Sequence, residues 1–85
     1  MIEMYLKSSV PVLDNKDNPL YVLGWDIVFT GQRSDTLNEY SMTGTITLDT
    51  PLDLEVPITK DMLMVYVDAF ITEQGWEQSI LDRLG

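Results

Sequence analysis

The hydrophobic period of the chain changes once, at Pro57, and this constrains the fold more than any other feature of its 85 residues. Before Pro57, apolar residues recur at every second position; after it they recur at helical spacing. An alternating segment buries its apolar side only as part of a sheet, and a helical stripe needs a surface to lie on. The order of the two patterns predicts an α+β fold. Its parts are a small antiparallel sheet of three to four strands within residues 2–56, packed against one helix at about 59–74, and a short C-terminal amphipathic helix at 76–84. A chain of this length supports a single domain, 1–85, and no repeat or linker divides it.

In the first segment Ile2, Met4 and Leu6 alternate with Glu3, Tyr5 and Lys7, followed by Val10 and Val12 around Pro11. Proline has no N–H for a ladder, so this is an edge strand or a bend. Asp14 to Pro19 is rich in residues that bond their own backbone, and reads as a turn. From Leu20 to Thr30 both sides are apolar, with Tyr21, Leu23, Trp25, Ile27 and Phe29 predicted on one face, as in a central strand. A polar loop, Gly31 to Asn38, leads to the cleanest alternation in the chain. There Tyr40, Met42, Gly44, Ile46 and Leu48 face one way, and Ser41, Thr43, Thr45 and Thr47 the other. Gly44 marks a bulge or close packing, with Trp25 opposite it as the expected neighbour. Asp49-Thr50-Pro51 reads as a turn into a short last strand carrying Leu52, Leu54 and Val56.

Beyond Pro57, Thr59 is placed to cap a helix, Asp61 suits its positive end, and Gly75 suits its termination. Val65, Tyr66 and Val67 are weak helix formers and leave a strand reading of 62–71 open, but the caps favour the helix. Met62, Leu63, Tyr66, Val67 and Phe70 form its expected inner stripe. Trp76, Ile80 and Leu84 then recur at every fourth position in the tail.

Five basic residues stand against fourteen acidic ones, a net charge of −9. Beyond Leu48, Asp49, Asp53, Glu55, Asp61, Asp68, Glu73, Glu77 and Asp82 meet only Lys60 and Arg83, so −6 of the total lies there. Such a surface is repelled by nucleic acid and anionic lipid, and predicts neither as a direct partner. The longest apolar run, Met62 to Val67, is far too short to span a membrane. Glu3 stands where a secretory signal would carry basic charge, so an intracellular, cytoplasmic protein is expected.

Chemistry is sparse. Without His or Cys there is no zinc site of the usual kind, no disulfide and no thiol or imidazole catalyst, and no cofactor is expected. Asp14 opens a superficial calcium-loop pattern, but Pro19 stands where the loop needs glycine and Trp25 where it needs glutamate. Asp49, Asp53 and Glu55 lie close in sequence without a pocket to separate their pKa values, so an enzyme is not expected. No glycine-rich phosphate loop is present.

Surplus apolar surface remains. Met64 and Ile71 fall outside the helix stripe, and with Trp76, Ile80 and Leu84 of a detachable tail they are the apolar candidates for a partner contact. The acidic candidates are Asp49, Asp53, Glu55, Asp61 and Asp68. Together with the threonine-faced strand they predict a non-catalytic protein-interaction or assembly module, bound to its own copies or to a basic protein. The alternative is an acidic inhibitor that blocks a nucleic-acid-binding protein. The layout of strands followed by a helix, with Glu39 to Leu48 as its clearest strand, resembles small accessory proteins of bacterial viruses. That resemblance, which is one of layout, implies either a component of the viral particle or a counter-defence inhibitor.

Overall fold

A computed structural model describes residues 1–85 as three strands followed by two helices. The strands are β1 (Ile2–Leu13), β2 (Tyr21–Arg33) and β3 (Glu39–Asp53), and the helices are α1 (Lys60–Gln74) and α2 (Trp76–Leu84). The strands form an antiparallel meander in the order β1-β2-β3, so β2 is central, as its two-sided apolar pattern predicts. The Asp14–Pro19 turn is organised by side chains. Asp14 Oδ1 accepts the N–H groups of Leu20 and Tyr21, both at 3.0 Å, and Asn15 Oδ1 accepts that of Asp17 at 2.9 Å.

Two irregularities reset the alternation. Lys7 is extra on β1, between the pairs Leu6–Phe29 and Ser8–Val28. Leu23 is extra on β2, between Val12–Gly24 and Leu13–Val22. One extra residue reverses which side chains face the core. Val22 is therefore buried and Tyr21 is 45 % exposed, the reverse of the expected placement. The expected turn at Asp49-Thr50-Pro51 is also corrected. The pairs Val22–Leu52 and Tyr21–Asp53 continue β3 past a local shift, and there is no fourth strand. Leu54 and Val56 lie beyond it in an exposed turn, where the Leu54 N–H donates to the Leu20 carbonyl at 3.0 Å.

Both helices lie on one face of the sheet. Thr59 caps α1, its Oγ1 accepting the Met62 N–H at 3.2 Å. Gly75 ends α1 at φ 68°, ψ 30°, its N–H reaching the Ile71 and Thr72 carbonyls, and α2 starts at the next residue. Only a left-handed residue turns the chain that tightly, and glycine takes it without strain.

The tail helix is part of the core. Val22, Trp25, Ile27, Phe29 and Ile46 of the sheet meet Val67 and Ile71 of α1 and Trp76 and Ile80 of α2. The sheet makes room with glycine. A Cβ at Gly44 would lie 2.9 Å from two atoms of the Trp76 ring, and one at Gly31 would collide with Ile80 Cγ2. Gly44 pairs with Ile27, and Trp25 pairs with Ile46, so the close approach foreseen at Gly44 is to the tail helix and not to Trp25. Trp76 also meets Phe70 edge to face at 5.1 Å, and Trp25 meets Tyr66 at 5.5 Å. The α1 stripe is rotated from its expected position: Met62 is exposed and Ile71 is buried, because the helix faces α2 as well as the sheet.

Candidate functional site

No strand pairs with the outer edge of β1 or of β3. An unpaired edge is a template for another chain unless something blunts it. β1 carries two interruptions, a bulge at Lys7 and a proline four residues on at Pro11, while the Lys7 ammonium itself reaches back across the sheet to Glu39 of β3. β3 has no lysine, and from Glu39 to Thr47 its pairing with β2 runs without a break and without proline. The longest even stretch of free edge is therefore Glu39 to Thr47, since past it β3 has a register shift and Pro51 of its own.

Each edge borders the sheet face that the helices leave uncovered. Register places Ser8, Val28 and Thr43 in one row of that face, Val10, Asp26 and Thr45 in the next, and Tyr5, Thr30 and Ser41 in a third. Thr30 and Ser41 hydroxyls share a hydrogen bond at 2.7 Å, and Thr45 donates to Asp26 Oδ1 at 2.6 Å. These bonds tie the side chains of β3 to β2 and leave the backbone of its outer edge untouched. Short β-branched side chains on such a row suit a further strand, since cross-strand threonine pairs are favourable.

On the helix side the edge opens into a groove of about 430 Å³ between β3 and α1. Its wall on β3 includes Thr45, Ile46 and Asp49, and its wall on α1 includes Tyr66, Phe70 and Glu73. Apolar and aromatic surface thus lies between two carboxylates, and no lysine or arginine lines the groove.

The acidic candidates are all exposed, but the fold separates them. Asp49 lies in the β3–α1 groove. Asp53 and Glu55 meet at the far end of the sheet in a depression shared with Leu20, Tyr21 and Leu54, where Asp53 Oδ1 accepts the Glu55 N–H at 2.9 Å. Asp61 and Asp68 stand on α1 and line neither depression. Every other acidic side chain is exposed too, and only Glu39, 3.7 Å from Lys7, and Asp35, 2.8 Å from Arg33, approach a cation.

The apolar candidates lie elsewhere than on a partner surface. Ile71, Trp76 and Ile80 are core residues, and Met64 and Leu84 are half-buried against the same core. Their surplus disappears because α2 folds back on the sheet, and the notion of a detachable tail is corrected with it. Glu73, Tyr66 and Phe70 belong to the groove without having stood out in the sequence. Their helical spacing was visible, but their position beside the β3 edge is set by how α1 crosses the sheet.

Two exposed carboxyls are held below their ordinary range. Backbone N–H groups of Tyr21 and Leu20 hold the Asp14 carboxyl below its usual range. The Arg33 guanidinium holds Asp35 down at about 2. The Arg33–Asp35 pair has a structural use: Asp35 receives two of the guanidinium N–H groups at 2.9 and 2.8 Å, while another donates to the Leu84 carbonyl at 2.8 Å. A cation is thereby fixed at the negative end of α2.

No helix is long and apolar enough to cross a membrane. No protein-family model, curated protein or solved structure matches the chain.

Proposed function

We propose that this chain is a non-catalytic protein-interaction module, a small assembly component that joins a larger complex by taking a partner strand along the free edge of β3. The observation that carries the reading is the contrast between the uninterrupted Glu39–Thr47 stretch of β3, whose register shift and proline come only beyond it, and a β1 edge broken along its middle by a bulge and a proline. Main-chain hydrogen bonds at an open edge supply affinity, and alternate side chains supply selectivity. The threonine row and the aromatic groove are the two faces such a strand would meet. The resemblance of layout to small viral accessory proteins extends the proposal to a subunit in the cytoplasm or within a viral particle.

The test uses one row of the sheet. Ser8 and Thr43 flank Val28 on the same uncovered face, one on each edge strand. A photo-crosslinking side chain is placed at either position in the cells that naturally make the chain. A protein adduct from position 43 and none from position 8 is expected; equal yields, or none from either, would overturn the reading. Light scattering after size-exclusion chromatography at low and high salt then separates self-assembly from a foreign partner.

The exposure of all the acidic side chains favours a second reading, an acidic inhibitor of a nucleic-acid-binding protein. Its distinguishing observation is a 1:1 complex with a basic enzyme that weakens steeply as salt rises.

A further inference from the structure

We infer that the groove between β3 and α1 receives an extended, basic segment of a partner protein as an added strand. This rests on the interaction reading above and names the chemistry of the partner. A strand hydrogen-bonded to β3 lies about 4.8 Å from it, and its side chains alternate between the two faces. On one face they extend the serine–threonine row. On the other they enter the groove, where an apolar side chain is seated against Ile46, Tyr66 and Phe70. Asp49 and Glu73 border that seat with no basic residue among the lining groups, so a lysine or arginine in the segment supplies the missing charge. The net charge of −9 draws such a segment in.

A second copy of this chain fits less well in the register centred on the middle of the even stretch. Pairing β3 antiparallel with itself about Gly44 sets Glu39 opposite Asp49 at both ends of the ladder. Like charges directly opposite each other destabilise a strand pair.

The probe is a short synthetic peptide of alternating lysine and valine, added to the full chain. Amide hydrogen exchange along β3 is expected to slow on binding, while that of β1 stays unchanged. The same peptide with alternate amides N-methylated loses its ladder bonds but keeps its charge, and is expected not to bind. Asp49→Asn combined with Glu73→Gln should weaken the peptide about five- to tenfold, whereas Asp17→Asn, in the distant turn, should stay within about twofold. The inference is overturned by absence of binding, by indifference to N-methylation, by equal effects of the two sets of variants, or by protection appearing on β1. It is also overturned if β3 proves to be occupied by a second copy that the peptide does not displace. Absence of a crosslink from position 43 is a failure of the interaction reading and is scored separately from the peptide.

Discussion

β1 and β3 flank the same central strand and both end the sheet, yet they treat their outer edges differently. β1 interrupts its ladder at Lys7 and removes an N–H at Pro11, whereas β3 keeps an even register with β2 from Glu39 to Thr47. Both strands bury alternate apolar residues against the same core, so burial alone does not explain the difference. What differs is the side turned to solvent: the ladder of β1 is interrupted along its middle, whereas that of β3 is even up to Thr47 and irregular only beyond it. The lesson is that an edge is a designed surface, to be judged by its interruptions as much as by its side chains.

The comparison requires that β3 be held firmly from below, and the strongest way to break it is through α2. Trp76→Ala should cost about 3–5 kcal/mol in urea denaturation, since the ring fills the space over Gly44. A loss below about 1 kcal/mol would mean that the tail is detachable after all.

The next largest effect is expected from exchanging the guards. Replacing Lys7 and Pro11 by threonine should make β1 self-associate, seen as a growing mass in light scattering. The reciprocal change, Thr43→Lys, should suppress adducts at a crosslinker on position 45 and alter stability by less than about 0.5 kcal/mol. If β1 stays monomeric when unguarded, the guards are incidental.

A smaller effect concerns the hairpin that leads into β3. Asp35 titrates at about 2 in the fold against an ordinary 3.8, so its pairing with Arg33 favours the folded state above about pH 4. That contribution fades as pH falls from there through about 2. A carboxyl-carbon NMR titration should find the low midpoint, and Arg33→Gln should return it towards the ordinary value. The smallest effect is expected at Leu37, exposed at the hairpin tip with φ 60°. Leu37→Asn suits that backbone better and should raise stability by up to about 1 kcal/mol in the same denaturation assay.

The period change at Pro57, the caps at Thr59 and Gly75 and the alternation of β3 were legible because each is a local pattern with a local cause. The bulge at Leu23 was not, since nothing in Leu20 to Thr30 distinguishes one continuous alternation from two offset ones. The merger of Leu52 into β3 was hidden for a related reason: Asp49-Thr50-Pro51 has turn chemistry, and only pairing with Val22 and Tyr21 keeps it extended. At the candidate site the threonine row and Asp49 could be read in advance. Tyr66, Phe70 and Glu73 could be placed on a helix, but not beside an edge strand, because that depends on how α1 crosses the sheet. The tail residues misled for the opposite reason. Their stripe was read correctly, and the glycines that receive it, Gly31 and Gly44, lie far away in sequence.

The guards on β1 also set how many neighbours the molecule can hold. A sheet with two receptive edges passes its pairing on from one subunit to the next and grows into a filament. If β3 accepts a strand as proposed, the bulge at Lys7 and the missing N–H at Pro11 disfavour another at β1. On the proposed reading, strand addition gives the chain a valence of one: it would finish an array or occupy a single partner without extending a row of its own kind.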